Sequence, residues 1–123
     1  MKLINAFYHI IHEDQTDGLL RIQVQLHPEH FIYGVHFPKN PVTPGVCAVQ
    51  IAQELLEEHY KCKLKLLTAV NIKFKQPIAP TALPTYIYSK TAWEDNQLSV
   101  QVSVEEGDTQ YVKMSLKYEE INS

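Results

Sequence analysis

Apolar and polar side chains alternate with a period of two along much of this chain. The alternation is clearest over residues 19–27 and 98–106. It is typical of β-strands that turn one face toward the core and the other toward water. Less regular versions of the pattern predict further strands over residues 3–13, 64–75, 85–93 and 111–120, with turns at residues 17–18, 94–96 and 107–108. The pattern therefore predicts five or six antiparallel strands.

Residues 44–60 depart from this alternation and predict a helix. Thr43 is a candidate N-cap, and Pro44 suits the first helical position, where its missing N–H costs nothing. Apolar residues surround the first two turns, which predicts burial on every side. From Glu54 onward, Glu57, Glu58, His59 and Lys61 appear, so the far end of the helix is expected to reach solvent. One buried helix and an antiparallel sheet indicate an α+β fold in which a curved sheet wraps around one long central helix.

Composition narrows the range of functions. The chain has 123 residues, 45% of them hydrophobic and 20% charged, which favours a single domain spanning residues 1–123. The net charge of −3 and the lack of a basic face argue against nucleic-acid binding. The apolar runs are shorter than the roughly 20 residues of a membrane span, and Cys47 and Cys62 are too far apart on one helix for a disulfide. We expect a cytoplasmic protein that does not bind membranes.

Residues 36–53, HFPKNPVTPGVCAVQIAQ, contain the strongest candidate chemistry. His36 is a candidate general base because the pKa of an imidazole lies near neutrality. The backbone N–H groups of Gly45 and Val46, at the start of the helix, can polarise a carbonyl oxygen. An apolar helix behind them suits an acyl chain. Cys47 is expected to be a small core residue, and the sequence contains no metal or nucleotide motif.

Two blocks of this sequence resemble one enzyme family. His36-Phe37-Pro38, Pro41-Val42 and Pro44-Gly45-Val46 form the first block, and residues 74–80, FKQPIAP, form the second. Together they are similar to the signature of the β-hydroxyacyl-acyl-carrier-protein dehydratases, whose fold is the hotdog fold. The resemblance covers nearly the whole chain, and its first block is specific. A hotdog fold is therefore expected.

The resemblance implies a function and a partner. The implied reaction converts a 3-hydroxyacyl thioester to a trans-2-enoyl thioester in fatty-acid or polyene-type biosynthesis. Acyl-carrier protein or coenzyme A would carry the acyl group on phosphopantetheine, so no other cofactor is implied. His36 would be the catalytic base, Gly45 would hold the thioester carbonyl, and Val46, Phe37 and Pro44 would line the substrate site. A homodimer or a larger oligomer of dimers is implied, with a heterodimer as the alternative.

The helix departs from the family pattern at the position of the catalytic carboxylate. Position 50 is Gln, and an amide neither gives nor takes a proton at ordinary pH. Glu54, one turn later on the same face, is a candidate for a displaced acid. Three functions stay open: a dehydratase in which His36 acts with water held by Gln50, a catalytically impaired subunit that binds acyl thioesters beside an active partner, and a thioesterase in which Glu54 activates water.

Overall fold

The computed structural model describes residues 2–35 and 38–121, which fold into six strands and two helices. The predicted antiparallel strands and the long central helix are confirmed, and the helix begins one residue later than predicted. The elements are, in chain order, β1 (Tyr8–Thr16), β2 (Leu19–Leu26), α1 (Phe31–Val35), α2 (Gly45–Tyr60), β3 (Lys63–Phe74), β4 (Thr85–Glu94), β5 (Gln97–Glu106) and β6 (Thr109–Ile121).

The strands form one antiparallel sheet in the order β1-β2-β4-β5-β6-β3. All three predicted turns connect neighbouring strands. At the first of them, Asp17 and Gly18 have φ angles of 53° and 74°, which only turns of the primed type require and which glycine tolerates best. β1 and β3 are therefore the two edge strands of the sheet, and α2 and β3 lie between β2 and β4 in sequence.

The core lies between α2 and the sheet. Ile51, Ala52 and Leu55 are fully buried on the helix and pack with the inward side chains of the strands. The far end of this helix reaches solvent as predicted, since Glu58 is exposed, although burial continues through Glu54 and Leu56. The prediction that its first two turns are buried on every side is wrong, because Val46 is 69% exposed.

Two tyrosines of β4 attach the helix to the sheet. The Tyr86 hydroxyl donates a hydrogen bond to the carbonyl of Ala48 at 3.0 Å, and the Tyr88 hydroxyl donates one to the carbonyl of Ala52 at 2.8 Å. Both rings are buried, and each hydroxyl gains a partner that is already bonded within the helix. The bonds therefore satisfy two buried hydroxyls and fix the helix against β4.

The chain departs from the predicted elements at two places. Residues 3–7 form a tight turn instead of the first part of a strand, with the Phe7 N–H bonded to the Leu3 carbonyl at 2.7 Å and Asn5 in the left-handed region. The connection over residues 28–44, predicted to be irregular, contains the short helix α1. Both departures shape the surroundings of the candidate site.

The buried tyrosines predict how stability changes with pH. Burial is the largest cause that raises the pKa of Tyr86 and of Tyr88 above the usual 10.0. Because the folded state raises these pKa values, its advantage is complete below pH 10 and is lost as pH rises beyond that value. We expect these tyrosines to ionise only as the protein unfolds in an alkaline titration. Their tyrosinate absorbance should therefore appear together with loss of the circular dichroism signal. In Tyr88→Phe, one tyrosine fewer should ionise during the cooperative unfolding transition. Full ionisation of all tyrosines near pH 10 in a still-folded protein would contradict this expectation.

Candidate active site

The loop before α2 is closed at its base by a buried hydrogen bond. The hydroxyls of Tyr33, on α1, and Thr43 lie 2.8 Å apart, and the Thr43 N–H donates to the carbonyl of Ile78 at 2.8 Å. Thr43 therefore does not cap the helix as predicted, because its hydroxyl binds Tyr33, and α2 has no side-chain N-cap bond. Burial raises the pKa of Tyr33 to about 12, so its phenol is neutral at ordinary pH. The bond holds together the two ends of residues 33–43.

Two of the predicted site residues, His36 and Phe37, lie outside the described residues. Their roles as base and as substrate-lining residue stay predictions. The described residues on either side fix where the intervening chain begins and ends, since Tyr33 and Thr43 are anchored to each other.

Gly45 begins α2 at a point where another side chain approaches closely. A β-carbon placed on Gly45 would lie 2.8 Å from Cζ of Phe74, so alanine at this position would displace the ring. The first N–H groups of a helix have no acceptor within that helix, and those of Gly45 and Val46 belong to this set. Gly45, Phe74 and Ile78 line a cavity of about 420 Å³. The start of the helix thus combines backbone donors with a partly apolar cavity, as the predicted role of Gly45 requires.

Glu54 is a buried carboxylate surrounded by donors. Its side chain is 2% exposed, and it accepts hydrogen bonds from the N–H groups of Leu3 and Ile4, both at 2.8 Å. The Tyr8 hydroxyl donates to it at 3.0 Å. Together with burial, the charge of Glu54 raises the pKa of Tyr8 well above its usual value. Glu54 therefore fixes the turn over residues 3–7 against the middle of α2.

Gln50 lies one helical turn before Glu54 and contacts it directly. Its Nε2 donates a hydrogen bond to Oε2 of Glu54 at 2.9 Å. Both side chains line an open cavity of about 740 Å³, together with Ile4, Glu57 and Cys62. Within one chain this cavity shares no residue with the smaller one at Gly45. The structure therefore brings Gln50 and Glu54 together but places Gly45, Val46 and Pro44 at the other end of the candidate site.

The Cys47 thiol is part of the hydrophobic core. Burial raises the pKa of the Cys47 thiol, with a smaller contribution from Glu54, which agrees with the predicted core role. Within residues 2–35 and 38–121, no group of three or more potential ligands could hold a metal ion. No helix in those same ranges is long and apolar enough to span a bilayer.

Sequence reasoning missed Tyr8 and Tyr33 as residues that support the site. Tyr8 falls in a predicted strand, and the fact that it reaches Glu54, 46 positions later, depends on the tertiary fold. Tyr33 is 3% exposed and stacked on Phe7, and its partner Thr43 lies 10 positions later. No local pattern in the sequence indicates either hydrogen bond.

One long helix packed on a six-stranded antiparallel sheet defines a hotdog protein, and solved structures match this chain accordingly. The dehydratase heterocomplex ApeI:P from Xenorhabdus doucetiae matches with a TM-score of 0.69 and 19% identity, over 89% of this chain and 96% of that one. The PaaI protein of the E. coli phenylacetic acid degradation operon matches with a TM-score of 0.66 and 10% identity, over 94% and 80% of the two chains. These likenesses establish the fold.

The family follows from the sequence itself. The ApeI-like family, described as ApeI dehydratase, matches residues 12–115, and the chain belongs to this family. An uncharacterized protein from Erwinia carotovora subsp. atroseptica is 25% identical, with a TM-score of 0.59 over 91% of each chain. No curated protein matches the sequence significantly.

Proposed function

We propose that this protein dehydrates a 3-hydroxyacyl thioester to a trans-2-enoyl thioester. The observation that carries the proposal is the cavity at the start of α2, which Gly45 lines together with the apolar side chains of Phe74 and Ile78. This combination suits a thioester carbonyl followed by an acyl chain. Membership of the ApeI-like dehydratase family supports the same reaction.

The reaction does not require a carboxylic acid if one imidazole moves the proton. His36 removes a proton from C2 of the substrate, whose acidity rises because the helix-start N–H groups stabilise the enolate oxygen. The C2–C3 double bond then forms as the C3–O bond breaks, and the imidazolium returns the proton to the departing hydroxyl. Water is the leaving product and His36 is again neutral. Gln50 holds the hydroxyl without exchanging protons.

A second function, binding of acyl thioesters without turnover, is favoured by one specific observation. Gln50 occupies the position of the family's carboxylate, and the nearby Glu54 accepts four hydrogen bonds from other groups. A carboxylate held in this way is a poor source of protons and a poor activator of water. The same contacts argue against the thioesterase alternative, which needs Glu54 to act on water.

Turnover distinguishes these functions. We expect the purified protein to form enoyl thioesters from 3-hydroxyacyl groups carried either on acyl-carrier protein or on coenzyme A, detected by mass spectrometry of the acyl product. Exposed Lys73 and Lys75, close to Phe74, suit either anionic carrier, and comparison of the two rates identifies the preferred one. Binding of both substrates without product would instead support the non-catalytic function. Release of free thiol that depends on Glu54 would support a thioesterase.

We further propose that a second hotdog subunit, most simply another copy of this chain, pairs with β3. This strand pairs only with β6 within the described residues, so its other edge carries unpaired backbone groups. Leu66, Leu67 and Val70 on β3 are 37%, 40% and 46% exposed. A long, apolar edge strand is prone to aggregation unless another strand covers it. Pairing there would also bring the Gly45 cavity of one subunit toward the Gln50 cavity of another.

A further inference from the structure

Two side chains of α2 hold the start of β3. Nε2 of Gln53 donates a hydrogen bond to the carbonyl of Leu64 at 2.9 Å, and the Leu64 N–H donates one to Oε2 of Glu57 at 2.9 Å. Gln53 and Glu57 are four positions apart on the helix, so their side chains are neighbours on one face. Both backbone groups of Leu64 are therefore bonded within the same chain. We call Gln53 and Glu57 the β3 clamp.

The β3 clamp lies on the free edge of the sheet. Leu64 is opposite Glu120 of β6, and residues of an antiparallel pair direct their N–H and C=O groups alternately toward the neighbouring strand and away from it. The groups of Leu64 that bind the clamp are the outward ones, on the side where β3 has no neighbouring strand in the described part of the chain. A strand of another subunit cannot bond to the Leu64 N–H, because its only hydrogen is already in use.

Beyond the β3 clamp, the same edge is apolar. Leu66, Leu67 and Val70 have exposed side chains, and β3 ends at Phe74. Because outward positions alternate along a strand, the next one after the clamp is residue 66. The part of the edge that remains for pairing therefore spans residues 66–74, with Val70 at its middle. Two copies of one strand that pair about a two-fold axis run antiparallel and place the same residue of each copy beside the axis.

We infer that the β3 clamp sets the register in which two copies of this chain pair: residues 66–74 run antiparallel, with Val70 beside the two-fold axis. This inference rests on the pairing along β3 proposed above. Phe74, which lines the Gly45 cavity, then lies opposite residue 66 of the other copy, close to the clamp residues that line the Gln50 cavity. The clamp therefore brings the Gly45 cavity of one copy to the Gln50 cavity of the other.

Register matters because a small change of the axis moves the subunits a long way. Each residue of a strand advances about 3.4 Å, so moving the axis by one residue shifts the two copies by about 7 Å relative to each other. This shift exceeds the length of a hydrogen bond, so groups from the two cavities would no longer reach one thioester. If Leu64 were free, the available edge would begin at residue 64 and its middle would move from Val70 to Ala69.

The first measurement locates the axis. The variants Val70→Cys and Lys65→Cys are made in a Cys62→Ala background, where the remaining Cys47 is buried, and are incubated with oxidised glutathione. Opposite residues of an antiparallel pair have β-carbons about 5 Å apart, so we expect Val70→Cys to form a disulfide-linked dimer. Lys65→Cys should stay unlinked, because its two copies would lie about 30 Å apart.

A linked dimer of Lys65→Cys, or none of Val70→Cys, overturns the register. Sedimentation of the wild-type protein separates this failure from failure of the pairing itself. A wild-type dimer without the Val70→Cys link has another register or another interface, whereas a wild-type monomer contradicts pairing of two copies along β3. Neither result depends on turnover, so both are independent of the proposed dehydratase reaction.

The second measurement removes the β3 clamp. Gln53→Ala/Glu57→Ala releases both groups of Leu64, and Glu58→Ala is the matched control because Glu58 is exposed on the same helix. Each change is combined with Val70→Cys. We expect the yield of linked dimer to fall severalfold in the clamp variant, because other registers become available, and to stay unchanged with Glu58→Ala. Equal yields in the clamp variant and the control overturn the role of the clamp.

Amide hydrogen exchange tests the β3 clamp without a dimer. In Val70→Asp, which we expect to be monomeric, the Leu64 amide should stay protected, because its acceptor belongs to the same chain, while outward amides of residues 66–74 should exchange faster. Adding Glu57→Ala should raise the exchange rate of the Leu64 amide roughly tenfold, and Glu57→Gln, which keeps an acceptor, should not. Unchanged exchange of Leu64 in Glu57→Ala, or loss of its protection in Val70→Asp, overturns the inference.

Discussion

The value of kcat for dehydration is expected to fall ~10²–10⁴-fold when His36 is replaced by alanine, because the reaction then loses its general base. The proposed mechanism assigns both proton transfers to this imidazole, so no second group compensates. The Tyr33 and Thr43 hydroxyls, on either side of residue 36 in the sequence, lie 2.8 Å apart. The measurement is the rate of enoyl thioester formation under saturating substrate.

His30→Ala provides the matched control for this loop. His30 accepts a hydrogen bond from the Ile32 N–H and packs edge-to-face on Phe7, so its loss should affect stability rather than chemistry. We expect His30→Ala to keep a near-normal kcat while His36→Ala loses it. Near-normal turnover in His36→Ala would reject the assignment of the base.

The second large effect is expected on β3. Val70→Asp places a charge on the apolar edge that we propose is paired with another subunit, where the carboxylate would lose its water. Loss of a hot-spot residue near the centre of an interface costs about 2 kcal/mol or more, which corresponds to roughly a 30-fold weaker association. Sedimentation analysis should therefore show mainly monomer at concentrations where the wild-type protein is dimeric.

Ile11→Asp is the corresponding control on the opposite edge strand. Ile11, on β1, is 41% exposed, close to the 46% of Val70. We expect its variant to keep the wild-type oligomeric state and activity. Val70→Asp should lose both, because the proposed interface would complete the proposed site. A wild-type chain that is monomeric alone but assembles with a related hotdog subunit would identify a heterodimer. A Val70→Asp protein that remains dimeric and active would place the interface elsewhere.

Much of the fold could be predicted because it depends on local patterns. The period-two alternation around Val100 and Val102 identifies a half-buried strand, and Asp17-Gly18 specifies a hairpin turn, without any knowledge of distant residues. The start of α2 could be predicted similarly from Pro44-Gly45, because proline is tolerated at the beginning of a helix and the apolar run begins there.

The candidate site was harder to predict because its contacts are distant in sequence. Glu54 begins the charged part of the helix, and charged helical positions are normally exposed to solvent. Three of its four hydrogen-bond donors, however, lie 46 to 51 positions earlier in the sequence. The N-cap predicted at Thr43 is wrong for a similar reason. The Thr43 hydroxyl bonds to the hydroxyl of Tyr33 instead, and the rules for helix capping do not include a partner outside the helix. The spacing of four residues identifies Gln50 and Glu54 as neighbours on one face of the helix. Only the tertiary contacts of Glu54 show that its carboxylate is held by hydrogen bonds from residues 3–8.

The two tyrosines of β4 fix the position of the helix along its own axis. Tyr86 and Tyr88 are two residues apart on a strand, a rise of about 6.7 Å, and their acceptors at Ala48 and Ala52 are four residues apart on a helix, a rise of about 6 Å. The strand and helix repeats nearly coincide, so both bonds form together in this axial register. A slip of one or two residues would move both carbonyls away from the hydroxyls, and the same register fixes the position of Gln50 along the sheet.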